Sequence, residues 1–333
     1  MFIWLCRSML IAVGAISIFA CSERSRSDVV SVRLDERVLD GAVPLEMHEM
    51  WYPADSIYSY QFYVYADTVL LVENRKEAGN FLDVYNIPHC SRIARLLPYG
   101  EGPEELLFVK MNYEGAVMRV TDYINRKLYL VDVDKVLIDS AYAPQAVPFS
   151  KSMIVTSAPV LFGDSVVCVN PFHYVNRSEG IDQRPPRLVP MTKECPEPSV
   201  PMDFDYMTMN VGQGLLGANI RLRRLFFALF HVSSIEFYDS NLNLVKEVLG
   251  PVTLPEEKLS IGMDGNGSRD VCYKGTDQPM SYTGFTTFSD KLYFVYTGKK
   301  GLIDHVGNYH SSILCFDWDG NFVKSYSAPE HIY

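Results

Sequence analysis

Four short stretches of this chain carry residue types that could do chemistry. In DGNGSRD, the residues Asp264, Asn266, Ser268 and Asp270 place oxygen-bearing side chains at alternate positions, as the first half of a calcium loop does. Such a loop needs glycine at its sixth position and a bidentate glutamate at its twelfth, where Arg269 and Gly275 stand instead. A solvated loop is the reading these departures leave, and no metal is assigned. His305 and His310 in HVGNYH lie five apart, which is not the i, i+4 spacing that turns two helical histidines toward one zinc ion. RLRRLFF gathers Arg221, Arg223 and Arg224; strand alternation would put Arg221 and Arg223 on one face, where two guanidinium groups could grip a carboxylate or an acidic sugar beside a central channel. The other reading is a surface strand whose arginines pair with neighbouring acids. The fourth stretch is LLPYGEGPEELLFVK, with Gly100, Gly102, Pro103 and Glu104 between two apolar runs. A phosphate cradle there would need the Lys-Ser/Thr of a P-loop, and the three carboxylates would repel a phosphate. A corner is expected: the glycines permit positive φ, Pro103 fixes the exit direction, and Glu104 accepts backbone N–H groups. No G-x-S-x-G nucleophile elbow occurs, and no cofactor is implied.

The elements that would position these residues read as strands. The chain has 333 residues, and its 21 Tyr and 18 Phe suit half-buried strands better than helices. A formal charge of −10 removes the electrostatic footprint that nucleic-acid binding requires. Apolar runs bounded by polar turns recur in DTVLLVEN from Asp67, NRKLYLVDV from Asn125, GDSVVCVNP from Gly163, RRLFFALFH from Arg223 and SDKLYFVYT from Ser289. Such runs fit strands buried on both faces in a stack of sheets. One internal match needs no gaps: SIEFYDSNLNLVKEV from Ser234 and SILCFDWDGNFVKSY from Ser312 agree at Ser, Ile, Asp, Asn, Val and Lys. Both predict strand, tight polar turn, strand, and the second supplies an Asp-Gly turn.

Repetition of this kind predicts an all-β fold, a β-propeller of six blades, over residues 31–333 as one domain. Its last blade is expected to draw in part on N-terminal strands from Ser31 to Trp51, lying beside the C-terminal segment. Two packed β-sandwich domains are the alternative architecture. The proline-rich stretch with Pro185, Pro186, Pro190, Pro196, Pro198 and Pro201 would interrupt strand pairing often, as in a blade with long loops.

The first 20 residues hold one early cation, Arg7, and an apolar run from Met9 to Ala20 broken by Ser17. That run is too short for a bilayer-spanning helix of roughly 20 residues and fits the centre of a secretory signal peptide. Ile18-Phe19-Ala20-Cys21 resembles the lipobox of bacterial lipoproteins, which implies cleavage before Cys21, acylation of Cys21 and a polar tether over 21–30. With Ser22 in place of an inner-membrane-retaining aspartate, the resemblance implies an outer-membrane anchor on either the periplasmic or the surface side. Of the remaining cysteines, Cys90, Cys168, Cys195, Cys272 and Cys315, an odd set, none shows C-x-x-C spacing.

Gly-x-Gly-Pro-x-Glu after an outer strand, together with the closing FDWDGNFVKSY, is similar to the TolB-like six-bladed propeller lipoproteins of Gram-negative envelopes. That resemblance implies a fold and an envelope location, with no settled activity to carry over. Two functions follow as expectations. One is a lipid-anchored binding module for a protein partner or an envelope ligand such as a glycan. The other is a propeller hydrolase or lyase acting on a glycan or lactone at the axis. Converging His, carboxylate or Arg side chains at the axis would favour the enzyme.

Overall fold

The computed structural model describes residues 29–46, 51, 62–74, 79–102, 105–107, 109–139, 141–149, 157–163, 165–170, 186–190, 213–252, 259–263, 269–273, 280–299 and 312–328. The chain opens with strand β1 (Val30–Arg33), a single helical turn α1 (Arg37–Asp40) and the two-residue strand β2 (Val43–Pro44). Meandering antiparallel sheets follow. Blade 1 is β3 (Phe62–Tyr65), β4 (Val69–Glu73), β5 (Gly79–Asn86) and β6 (Ser91–Tyr99). Blade 2 is β7 (Val109–Glu114), β8 (Val117–Asp122) and β9 (Lys127–Asp132), then helix α2 (Val133–Ile138) and β10 (Gln145–Pro148). Blade 3 has three strands, β11 (Val160–Phe162), β12 (Ser165–Val169) and β13 (Leu188–Pro190). Blade 4 is β14 (Gly214–Asn219), β15 (Arg224–Leu229), β16 (Ser234–Tyr238) and β17 (Leu244–Leu249). A two-stranded ladder of β18 (Leu259–Met263) and β19 (Arg269–Tyr273) comes next. Blade 5 is β20 (Met280–Phe288), β21 (Lys291–Lys299), β22 (Ser312–Asp317) and β23 (Phe322–Ser327).

Strand order within each blade follows chain order, which is the up-and-down meander of a propeller. Four apolar seams join the blades face to face. Val69, Leu71 and Val84 of blade 1 meet Met111, Met118 and Val120 of blade 2. Tyr123 and Phe149 of blade 2 meet Cys168 and Val189 of blade 3. Val160, Val167 and Leu188 of blade 3 pack on Leu216, Leu225 and Phe227 of blade 4. Phe226 and Phe237 of blade 4 pack on Phe294 and Phe316 of blade 5.

The all-β propeller expected from the strand runs is what the chain forms, with five blades among the described residues where six were expected. Blades 4 and 5 share one core directly, so the β18–β19 ladder does not stand between them as a blade. As expected, the N-terminal stretch contributes to the last blade beside the C-terminal segment: β2 lies parallel on β23 with Val43 opposite Tyr326, next to four antiparallel strands from residues 280–327. Unexpectedly it also serves blade 4, where β1 lies parallel on β17 with Val30 opposite Lys246. Trp51 then packs edge-on to Tyr85 at 5.8 Å, beside Leu70 and Val72 on the far face of blade 1. One N-terminal segment thus runs from blade 4 across blade 5 to blade 1, covering two outer edges that would otherwise present unpaired backbone groups.

Of the repeated sequence runs, four are second strands of their blades: β4, β12, β15 and β21. The run from Asn125 is the third strand of blade 2, because β8 (VMRVTD) is buried along nearly its whole length without looking apolar. The gapless match is structurally equivalent in full. It forms β16–β17 and β22–β23, each with a bulge at its last paired step, Phe237/Tyr238 and Cys315/Phe316. Asp239 accepts hydrogen bonds from the Asn241 and Asn243 N–H groups and the Asn243 side chain; Asp317 accepts from Asp319, Asn321 and the Asn321 side chain in the same way.

Candidate functional site

The first strand of each blade lies nearest the axis, so β3, β7, β11, β14 and β20 would frame an axial site. Contacts between β7 and β14, β11 and β14, and β14 and β20 place these strands side by side. Among the described side chains of these five strands, Lys110 is the single charged group. Burial pushes its amine below the ordinary lysine value. Asn112, next but one along β7, is buried and donates from its side chain to the Leu216 carbonyl of β14 at 3.0 Å. That bond joins the inner strands of blades 2 and 4.

Tyrosines fill the rest of this region. Tyr63 and Tyr65 of β3 stack around Tyr113 of β7, with ring centroids 5.5 and 6.3 Å away. The Tyr65 hydroxyl donates to Asp134 at 2.7 Å. Burial, with the charge of Glu73 adding and that of Arg119 opposing, raises Tyr63 to about 12. Burial likewise raises Tyr113. These phenols therefore stay protonated at neutral pH and serve as hydrogen-bond donors, not as bases. Among the described residues, no three His, Cys, Asp or Glu side chains come together as a metal site would need.

The stretch from Leu96 turns between β6 and β7. Tyr99 bridges in parallel to Leu106, and the Leu106 N–H donates to the Pro98 carbonyl at 2.8 Å. The Glu105 carboxylate folds back to accept the Gly102 N–H at 2.8 Å. A β-carbon at Gly100 or Gly102 would press on that carboxylate, so both glycines make room for it. Pro103 and Glu104 lie outside the described residues. The corner is tied down from blade 2 by Asn125, which donates to the Glu105 carbonyl at 2.9 Å, and by the buried Asp122, which accepts from Leu107 at 3.2 Å. It has the make-up of a crossover joint.

Arg221 and Arg223 do not sit on a strand. They occupy the turn between β14 and β15, where Arg223 takes φ of 55° and the Asn219 side chain accepts the Leu222 N–H at 2.9 Å. Strand alternation therefore does not apply to them, and they do not line a channel face. Arg221 forms an exposed ion pair with Asp290 in the neighbouring turn of blade 5, and Arg224 pairs with Asp319 at 2.9 Å. Cys21, Asp264, Asn266, Ser268, His305 and His310 lie outside the described residues, and Asp270 is described only as part of the backbone of β19. Cys168 and Cys315 are buried within strands, while Cys90 is exposed in the β5–β6 turn.

One buried constellation escaped sequence reasoning. Arg187, just before β13, donates to Glu236 of β16 at 2.7 Å, and Tyr238 donates to the same carboxylate. All three are buried, and the guanidinium lies 5.5 Å from the centre of the Phe227 ring. The three groups pair inside the seam of blades 3 and 4, which gives them a role in joining blades. The signal was faint: an arginine after two prolines and a glutamate within an apolar strand, 49 residues apart.

Neither family models nor curated proteins match the chain. Solved structures do, at low identity. A Bacteroides fragilis protein regarded as exported aligns with 12% identity over 90% of this chain and 80% of its own, with a TM-score of 0.46. A member of the DUF4221 family from Bacteroides vulgatus aligns with 11% identity over 86% and 84%, with a TM-score of 0.43. The virginiamycin B lyase of Staphylococcus aureus aligns with 12% identity over 83% and 71%, with a TM-score of 0.37.

Proposed function

We propose that the chain is a lipid-anchored β-propeller of the outer membrane that binds a protein partner or an envelope ligand through its loop faces. The observation that carries this reading is the make-up of the inner strands. Among the described side chains there, Lys110 is the one charged group, and Asn112 ties β7 to the Leu216 carbonyl of β14. A single amine can meet an anion, but hydrolysis or elimination needs a second acid–base group in reach. The apolar run from Met9 to Ala20 ahead of Cys21, and the likeness of the corner and last hairpin to TolB-like envelope lipoproteins, support the location.

The test is recovery of the full-length protein from its native envelope after mild crosslinking. A stoichiometric protein partner is the expected result. Recovery of the protein alone, together with turnover of a glycan or lactone that is lost in Lys110→Met, would overturn the reading in favour of an enzyme. Cys21→Ala should abolish acyl labelling and leave the precursor uncleaved.

A further inference from the structure

Turns between the first and second strands and between the third and fourth strands of a meandering blade lie at one end of the propeller. At that end, blades 4 and 5 are fastened turn to turn by Arg221–Asp290, Arg224–Asp319 and Lys246–Asn321. The same turns expose apolar side chains. Ile220 and Leu222 flank Arg221 at 46% and 38% exposure, and Phe288, beside Asp290, is 71% exposed. β20 and β21 have nine residues each against six in β14 and β15, and Thr286 to Asp290 are exposed throughout, so this hairpin stands out beyond its neighbour. Ile138, at the end of α2 between the third and fourth strands of blade 2, is 85% exposed at the same end.

The chain also enters the fold there. β1 runs parallel to β17, with Val30 opposite Lys246, close to the Asp239–Asn243 turn where β17 begins. From Cys21 to Val30 the chain has nine residues, a leash of at most about 30 Å. To hold the opposite end against the bilayer, that leash would spend about 20 Å running back along the blade. The charges around the apolar tips are largely matched in Arg–Asp pairs, so the end carries apolar points within a polar, nearly neutral rim, the make-up of a surface that settles into a lipid interface.

We propose that this end of blades 4 and 5 rests on the bilayer that anchors the chain, with Ile220, Leu222 and Phe288 entering the interfacial layer. The inference rests on acylation of Cys21. It assigns the opposite end, with the crossover corners at Gly100–Leu106 and Gly250, as the face left open to partners.

Full-length Phe288→Trp and Ile124→Trp, both acylated, are reconstituted into phosphatidylcholine vesicles with and without brominated acyl chains. Ile124 is 60% exposed in the β8–β9 turn at the opposite end and serves as the control. After subtraction of wild-type fluorescence, Phe288→Trp is expected to be quenched at least about twofold more than Ile124→Trp. Acyl mass on Cys21 with equal quenching at both positions would overturn the orientation and leave the anchor standing. Missing acyl mass would overturn both. Shielding of Phe288→Trp from aqueous acrylamide without quenching by brominated lipid would give the patch to a protein or a second copy, and would also overturn the proposal.

Discussion

The seam between blades 1 and 2 and the seam between blades 4 and 5 occupy equivalent places and are built from different materials. In the first, Val69, Leu71, Leu82, Val84, Met118, Val120 and Val131 form an aliphatic centre, closed over by Val133 and Val136 of α2, with Phe81, Tyr129 and the Tyr63, Tyr65 and Tyr113 rings packed around it. In the second, rings meet at angles: Phe226 and Phe294 at 4.9 Å and 88°, Tyr282 and Phe294 at 5.7 Å and 68°, Phe294 and Phe316 at 5.9 Å and 70°. Edge-to-face rings draw on the quadrupole as well as on burial, and only in particular orientations. Aliphatic groups can shift and refill space at little cost. The aromatic seam is also the one tied at one end by three polar turn contacts and at its outer edges by β1 and β2. Rigidity is therefore expected of the aromatic seam, and adaptability of the one with the aliphatic centre.

The strongest blow to that contrast falls on its centre. Phe294→Ala should destabilise the fold by about 3–5 kcal/mol, because four ring partners lose contact at once around a side chain with no exposure. Leu71→Met, equally buried in the aliphatic seam, should cost less than about 1.5 kcal/mol. Urea unfolding of the two variants measures both; similar midpoints would erase the distinction between the seams.

Gly320→Ala sharpens it further. Gly320 has φ of 73°, and an added β-carbon would sit 2.6 Å from the Phe237 ring, which belongs to blade 4 and is fully buried. A loss of about 1–3 kcal/mol is expected. At the equivalent place in the other hairpin Leu242 holds φ of 63° with its side chain packed toward blade 3, so the turn itself tolerates a side chain there.

The smallest effect is acid sensitivity of the same turn. Burial pushes the Asp317 carboxyl up, but bonds from the Asn321 side chain, the Asn321 and Asp319 N–H groups and the charge of Lys291 outweigh it and hold the group below its ordinary value. A carboxyl depressed in the folded state lends stability that is fully present above its unfolded value and is lost as pH falls through the folded one. Asp317→Asn should therefore flatten the decline of stability below about pH 4. A decline of unchanged slope would show that other carboxyls set the acid limit.

What could be read in advance was whatever repeats locally. Alternation within a run marks a strand, and the Ser234 and Ser312 stretches predict one hairpin because their Asp and Asn side chains close the turn within five residues. Gly100 and Gly102 announced a corner by type, and within it Glu105 binds the Gly102 backbone. Arg221 and Arg223 misled for a related reason: an apolar run after arginines looks like one continuous strand, and nothing in those residues says that the turn ends at Arg223.

The amino-acid sequence alone determined that this chain folds into repeated, antiparallel, mostly buried sheets, because strand period and turn chemistry are settled among neighbours a few residues apart. Only the tertiary structure decided that the described residues form five blades, that β1 and β2 brace two different outer edges, and that Arg187 finds Glu236. Those outcomes depend on which surfaces meet across 49 to more than 200 residues of chain, where shape and desolvation choose the partner and local pattern carries no trace of the choice.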